Sequence, residues 1–267
     1  MNLNNSILKK ALVLACLQGP ILGAFGQKNN ITVHCAGEMR QVMHHNNLSA
    51  HASLDSLLQK PNMYAIGPLE GLQGEVTVLN SKPYITKAKG VSAETTHDST
   101  AKAAFLVYAH VPAWEEFAIP TFVKDMVSLE DFVKQKAKEQ RFDFKGPIPF
   151  LVKGKVATSR IHIVNKTGNE AHTPEDHDKI KIYFQPSNTE VNMAGFYSTK
   201  HKGIFTHHDS FIHVHLVTAD EKLSGHLDAV SFVPGKATLL LPDWPKQQRK
   251  REVNLKSRKN EIPNLQY

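Results

Sequence analysis

Cysteine is almost absent from this chain of 267 residues, which contains only Cys16 and Cys35. Two cysteines form at most one disulfide, so the composition excludes a disulfide-stapled scaffold and a zinc site built from several thiolates. No motif around Cys35 supports a nucleophilic cysteine. Long apolar runs are also missing from the body of the chain, where none reaches the roughly 20 residues that a membrane-spanning helix requires. The chemistry of the chain therefore rests on other side chains.

The composition is that of a globular protein with a basic bias. Hydrophobic residues make up 41% and charged residues 21% of the chain, and its length suits one large domain or two small ones. The net charge of +7 is concentrated in segment 246–267, which we interpret as a solvated basic tail. No alternating aromatic residues or recognition motif accompany these charges, so we expect no nucleic-acid partner. Contact of the tail with an anionic surface is the alternative.

Segment 1–26 has the order of a secretory signal. A lysine pair at 9–10 precedes an apolar run at 11–17, and small residues end the segment at Gly26. A charged start, an apolar centre and a small-residue cleavage site together are typical of signal peptides. We therefore expect the protein to be exported, either to the periplasm or out of the cell.

The remaining domain, expected over 27–245, has more strand patterns than helix patterns. Hydrophobic periodicity predicts helices at 37–46, 53–60 and 129–140. For the last helix we expect Ser128 as the N-cap and an inward stripe of Leu129, Phe132, Val133 and Ala137. Apolar runs predict strands at 75–79, 83–86, 103–111, 150–152, 160–164, 179–184, 189–196, 212–218, 229–233 and 237–241. A turn at 80–83 joins the first two strands as a hairpin.

Three histidines are the most informative residues of the domain. His213 and His215 lie in the apolar run Phe211-Ile-His-Val-His-Leu-Val217, and His226 follows a turn-like segment. Side chains two residues apart on a strand point to the same face, and a neighbouring strand can bring the third imidazole beside them. Three imidazoles of this kind make a zinc site with one position left open, which is typical of catalytic zinc.

Chance remains an alternative to this interpretation, because the chain has 15 histidines. A buried imidazole needs a partner, however, and two of them on one apolar strand are costly to explain without one. His207, His208 and His110 are rival ligands.

The residues around the three histidines resemble the core motif of the acetolactate decarboxylases. The motif comprises Gly195-Phe-Tyr-Ser-Thr199, Gly203 and the run from His213 to Asp228, with one and then ten residues between the histidines. Segment 66–80 resembles the family's Gly-x-Gly-x-x-x-x-x-x-Gly-Glu strand segment. Weaker similarities fall in the family's order at 50–60, 103–112, 129–140 and 150–155. Together the resemblance covers about residues 35–242.

The resemblance implies an α+β, mostly β fold with two β-rich halves and a metal site in the cleft between them. It implies Zn²⁺ as the cofactor, bound by His213, His215 and His226, and a small-molecule substrate, 2-acetolactate, that is decarboxylated to acetoin. Loss of carbon dioxide leaves two electrons, which a zinc ion coordinated to the substrate oxygens accommodates as a Lewis acid.

The resemblance also assigns carboxylates. Glu75 occupies the family's Gly-Glu position and is the candidate for proton transfer, although an exposed glutamate at a strand end would look the same in sequence. Asp228 is a candidate to orient the imidazole of His226, or a simple turn residue. The family's second carboxylate near the C-terminus has no clear counterpart, since Glu252 and Glu261 lie in the divergent tail.

The pattern departs from the family at the residue that holds the substrate carboxylate. The family uses an arginine on the strand after its Gly-Lys turn, and counting from Gly154 and Lys155 leads to His162. Arg160 lies two residues earlier, on the same face of the predicted strand. We favour Arg160 as the anchor because guanidinium offers a bidentate fork that imidazole lacks, with His162 as the alternative.

Three functions follow from these observations. The first is zinc-dependent decarboxylation of 2-acetolactate, and the second is an exported zinc-binding relative with a different small hydroxy-keto acid substrate or without catalysis. The third is a non-enzymatic exported β protein. A homodimer is possible, and segment 103–111 suits an interface strand as well as a core strand.

The signal segment generates a direct test. We expect the exported protein to begin at Gln27, which N-terminal sequencing or intact-mass measurement would show. A lipid modification on Cys16 would replace secretion by membrane anchoring, and a full-length cytoplasmic product would contradict both.

Overall fold

Two six-stranded antiparallel β-sheets organise residues 31–168 and 171–243, which this computed structural model describes. These residues belong to one compact unit. The predicted signal segment 1–26 and the basic tail 246–267 lie outside the described residues. Within them, no helix combines the length and the apolar character needed to cross a membrane. The α+β, mostly β fold predicted from the sequence is confirmed.

The first sheet is built from the N-terminal part of the domain. Its strands are β1 (Val33–Ala36), β3 (Met63–Pro68), β4 (Glu75–Leu79), β5 (Lys82–Lys89), β6 (Ser92–Thr96) and β8 (Leu106–His110), in the order β1-β8-β3-β4-β5-β6. Two short strands, β2 (Ala52–Ser53) and β7 (Lys102–Ala103), form a separate pair. The hairpin between β4 and β5 turns through Asn80 and Ser81, both with positive φ, as a two-residue hairpin loop requires.

The second sheet is built from the C-terminal part of the domain. Its strands are β9 (Trp114–Ala118), β10 (Ile148–Val164), β11 (Lys181–Phe184), β12 (Ser187–Tyr197), β13 (Ile212–Thr218) and β14 (Ser224–Pro242), in the order β11-β10-β12-β13-β14-β9. Strand β10 also pairs with β14. Since β12 pairs with β10 and β13, and β13 pairs with β14, the four strands form a closed ring of hydrogen bonding.

Helices are few. They are α1 (Met39–His45), α2 (Leu54–Leu57), α3 (Met126–Glu139) and α4 (Pro174–His177), with 3-10 turns at Glu70–Leu72 and Asp178–Ile180. The prediction that Ser128 caps α3 was wrong: Asp125 is the N-cap, and Ser128 is the third helical residue in a reciprocal capping box with it. The predicted inward stripe of α3 is buried.

Several predicted strands merge or divide in the structure. Segments 150–152 and 160–164 belong to the single strand β10, and segments 229–233 and 237–241 belong to β14. The pairing between β10 and β14 has register shifts near Gly154 and Arg160 of β10. The shifts interrupt the alternation of side chains, but the pairing continues on both sides of them. Segment 103–111 is divided between β7 and β8, and β8 is paired on both edges, so it is a core strand of the sheet.

One apolar cluster packs the two sheets against each other. It includes Ile66 and Val107 from the first sheet and Val164, Phe196 and Leu240 from the second. The opposite face of the second sheet forms another cluster, which α3 covers through its buried stripe. Strand β13 is consequently buried along its whole length, and its histidines alternate with residues of the second cluster.

Gly225 marks a close approach between β14 and β10. A Cβ atom on this residue would lie 2.7 Å from the backbone oxygen of His162, whereas one on Gly146 would meet no atom within 4 Å. We therefore expect Gly225→Ala to lower the free energy of unfolding of the metal-free protein by about 1–3 kcal/mol, because the two strands must move apart. Urea denaturation would measure this, with Gly146→Ala as a control that changes stability little. Equal effects of the two substitutions would contradict the expectation.

Candidate metal centre

Strand register brings the three predicted histidines together. His213 and His215 lie on one face of β13, and His215 is the direct cross-strand partner of His226 on β14. Their candidate ligand nitrogens all lie within 4.8 Å of one another. The ring centroid of His213 lies 5.1 Å from that of His215 and 4.8 Å from that of His226. The rings therefore surround a common point.

Two nitrogens in this cluster lack a partner. Nδ1 of His213 and Nε2 of His215 are buried and form no hydrogen bond within the described part of the chain. The other nitrogen of His215 hydrogen-bonds to Thr77 Oγ1 at 3.0 Å, and Ser224 in turn donates to Thr77. An imidazole held through one nitrogen presents the other to a ligand. Since an unpaired buried nitrogen is costly, these residues fit a zinc ion.

Burial also sets the protonation state of the cluster. Removal from water lowers the pKa of His213 and His226 well below the usual histidine value and lowers that of His215 to about 3. Mutual repulsion among the rings adds to the lowering for His213 and His226. The three imidazoles are consequently neutral at physiological pH, which is the form that coordinates metal ions.

The carboxyl group of Glu75, which belongs to the first sheet, lies beside the histidine cluster of the second sheet. It begins β4, is buried, and its Oε2 lies 3.7 Å from Nε2 of His215. Its Oε1 accepts a hydrogen bond of 3.3 Å from the backbone N–H of Val164. Burial raises the pKa of this carboxyl well above its usual value. The exposed strand-end glutamate considered from sequence is thus not what the structure contains.

His162 lies beside the cluster on β10. It is the cross-strand partner of His226, and their ring centroids are 4.5 Å apart. Its Nδ1 contacts both oxygens of Asp228, at 2.9 and 3.0 Å. Asp228 therefore orients His162, whereas the sequence suggested that it orients His226. Burial lowers the pKa of His162, although Asp228 opposes this. His162, His226 and Asp228 form a second group with metal-ligand spacing.

Arg160 takes a different position. It is exposed, and its guanidinium carbon lies 5.4 Å from the centre of the Tyr183 ring. Tyr183 in turn contacts His162 edge-on, with centroids 6.1 Å apart. Arg160 is absent from the described lining of both cavities at the histidine cluster. This placement does not favour the role in carboxylate binding predicted from sequence.

The rival histidines do not join the ligand group among the described residues. His207 comes nearest, with its ring 5.2 Å from that of His226. Gly203 and Lys202 lie near His208, and His110 is held through Nδ1 by the carbonyl oxygen of Pro61.

Two cavities meet at the cluster and share His162, His207 and His226 in their walls. The inner cavity is small, about 40 Å³, and is lined by Glu75 and His213 together with apolar residues of α1. The outer cavity is about 390 Å³ and is more polar. Its lining residues are Met126, Val127, Glu130, His162, Lys181, His207, Asp209, Ser210, Ile212, His226, Leu227 and Asp228.

The sequence analysis did not identify His177 or Lys181 as site residues. His177, from α4, lines the inner cavity, and burial lowers its pKa to about 3. Lys181, at the start of β11, lines the outer cavity. His177 lies in the polar segment after β10 and Lys181 in the strand predicted at 179–184, and no motif in the sequence marks either residue as part of a site.

Comparison with solved structures shows the same fold in distant proteins. A Staphylococcus aureus protein of unknown function, similar to alpha-acetolactate decarboxylase, superposes with a TM-score of 0.64 at 14% identity, covering 79% of this chain and 85% of that chain. Alpha-acetolactate decarboxylase from Bacillus subtilis strain 168 gives 0.62 at 12% identity, covering 79% and 86%. The enzyme from Bacillus subtilis subspecies spizizenii gives 0.62 at 13%, covering 80% and 86%.

Sequence comparison leads to the same group of proteins. No curated protein matches the chain. The family model for alpha-acetolactate decarboxylase, however, matches residues 37–241, which include every residue of the histidine cluster and Glu75. The chain therefore belongs to the alpha-acetolactate decarboxylase family.

Proposed function

We propose that this protein is an exported, zinc-dependent enzyme that decarboxylates 2-acetolactate to acetoin. The observation that carries the proposal is a cluster of three histidines that contains two unpartnered imidazole nitrogens, on His213 and His215, with the buried carboxyl group of Glu75 beside His215. Membership of the family supports decarboxylation in general.

Three side chains would hold the metal. All three imidazoles are neutral, His213 and His215 are buried, and His226 is partly buried. Thr77 fixes the ring of His215 through its other nitrogen. Three protein ligands leave room for substrate oxygens at the fourth position. When bound, zinc would supply a Lewis acid for the electron pair that remains as carbon dioxide leaves.

Glu75 would supply the proton that completes the reaction. Its Oε1 accepts a hydrogen bond from the backbone N–H of Val164, and its Oε2 faces the histidine cluster. Because burial favours the protonated carboxyl, the proton would be available inside the site when carbon dioxide leaves, and Glu75 would take up another proton from water before the next turnover. Delivery from one fixed side would protonate a single face of the planar carbon that has lost its carboxylate.

A second function has a specific observation in its favour. At the position where the resemblance implies an arginine, this chain has His162, and its ring is bound to the carboxylate of Asp228. A negative charge at that place would disfavour a carboxylate substrate bound in the family's manner. The alternative is an exported zinc protein that acts on a different small hydroxy-keto acid or has no catalytic activity.

An acetoin assay on the zinc-loaded protein with 2-acetolactate separates these functions. Acetoin formation that depends on zinc supports the first. A protein that binds zinc stoichiometrically but forms no acetoin would support the second.

The assignment of the metal ligands can be tested without an activity assay. We expect His213→Ala and His215→Ala each to reduce the zinc content of the purified protein sharply, because each removes one of three ligands. Elemental analysis after dialysis would measure this. His110→Ala is the matched control, since that ring lies outside the ligand group and is held by Pro61. Full zinc content in both cluster variants would disprove the assignment.

The role of Glu75 in proton transfer can be tested separately from metal binding. We expect Glu75→Gln to retain zinc but to lower the rate of acetoin formation by about two to four orders of magnitude, because the amide cannot transfer the proton. Glu70→Gln provides a control, because Glu70 is exposed and its carboxylate accepts from the backbone of Ala50. A wild-type rate in Glu75→Gln would make Glu75 a structural residue.

A further inference from the structure

The outer cavity contains a partly buried ammonium group with no assigned role. Among its described lining residues, Lys181 is the only lysine or arginine. Only 13% of the Lys181 side chain is exposed, compared with 73% for Lys179 two residues earlier. Both lysines pair with an aspartate three residues before them, Lys179 with Asp176 and Lys181 with Asp178. The two therefore differ in burial but not in the kind of ion pair they make.

Strand register places Lys181 next to the histidine cluster. It is the cross-strand partner of Val164, and His162, which pairs with Tyr183, lies two residues before Val164 on the same face of β10. Cross-strand partners point to the same face of a sheet, so Lys181 and His162 share a face. Burial raises the pKa of the Glu75 carboxyl and lowers that of the His162 imidazole; the charge of Lys181 opposes the first shift and adds to the second.

The ion pair with Asp178 leaves Lys181 free to exchange partners. The Asp178 side chain is 84% exposed and lies 2.7 Å from the Lys181 ammonium group. An ion pair with so exposed a partner contributes little stability, and Asp178 can return to water at small cost. An anion that enters the outer cavity can take its place.

His162 and Arg160 are less suited than Lys181 to bind an anion that enters the cavity. His162 is buried, its pKa is lowered, and its Nδ1 is already occupied by Asp228. Arg160 is exposed and lies over Tyr183. A carboxylate that leaves water needs a charged partner to offset its desolvation.

We infer that Lys181 binds the carboxylate group of the substrate in the outer cavity, beside the histidine cluster. This inference rests on the proposed function, because it presumes an anionic substrate at the same site. The carboxylate would then face the roomier cavity of about 390 Å³, into which carbon dioxide can leave. The anchoring charge has thereby moved from β10, where the family resemblance places it, to the neighbouring strand β11.

Binding of an unreactive anion tests the inference independently of turnover. The probe is 2-hydroxy-2-methylbutanoate, which carries the carboxylate and hydroxyl but no ketone, and its neutral amide is the reference. Calorimetric titration of the zinc-loaded protein would measure both. We expect Lys181→Met to weaken carboxylate binding roughly ten- to hundredfold, as loss of one charge-assisted hydrogen bond implies, and to leave amide binding unchanged. Lys181→Gln should act in the same way, and Lys181→Arg should restore most of the affinity.

Two controls distinguish an anchor from a structural residue. Lys179→Met removes the exposed lysine of the matched ion pair and should leave affinity unchanged. Asp178→Asn breaks the ion pair but keeps the ammonium group, so it should not weaken carboxylate binding. If Asp178→Asn reproduced the loss seen in Lys181→Met, the ion pair would be structural and the inference would be overturned. Zinc content, measured for every variant, reports whether the site remains intact.

The outcomes separate this inference from the proposed reaction. Wild-type carboxylate affinity in both Lys181→Met and Lys181→Gln overturns the inference even if the protein forms acetoin. A loss of affinity in Arg160→Met instead would overturn it in favour of Arg160. If the wild-type protein forms no acetoin but binds the carboxylate probe through Lys181, the anion site stands and the reaction with 2-acetolactate does not.

Discussion

The desolvation of three imidazoles between two packed sheets is the constraint on which the rest of this site depends. His213 and His215 are almost completely buried, and burial makes them and His226 neutral. Neutral imidazoles with unpartnered nitrogens are costly in an apolar interior, unless a cation uses their lone pairs. The arrangement thus lowers the stability of the metal-free chain, a cost that binding of a cation would offset.

The closed ring of strands supplies the geometry that this constraint requires. His215, His226 and His162 are direct lateral neighbours across β13, β14 and β10. Backbone pairing fixes their spacing, so the rings do not depend on a mobile loop for their positions. The packing of the two sheets adds what the ring cannot provide, because it brings the carboxyl of Glu75 from β4 against His215.

The positions of the charged groups around the site differ from the pattern that the family resemblance implies. Asp228 is bound to His162 at the position expected for a cation, and the partly buried side chain of Lys181 lies on the next strand. His213, His215, His226 and Glu75 lie together, as the resemblance implies. In our proposal the groups beside the reacting carbon are kept, while the cation that binds the substrate carboxylate has moved to the neighbouring strand.

Local patterns in the sequence determined the mostly β fold, the inward stripe of α3, strand β13 and the grouping of His213, His215 and His226. Periodicity of two or 3.6 residues reports which side chains share a face, and a motif reports which faces meet. Only the tertiary structure decided that β10 and β14 run continuously through their register shifts and that Asp228 binds His162. It also decided that Lys181 is partly buried while Lys179 is exposed. These features depend on contacts between strands far apart in the chain, and the burial of a charge is a property of those contacts rather than of the residue.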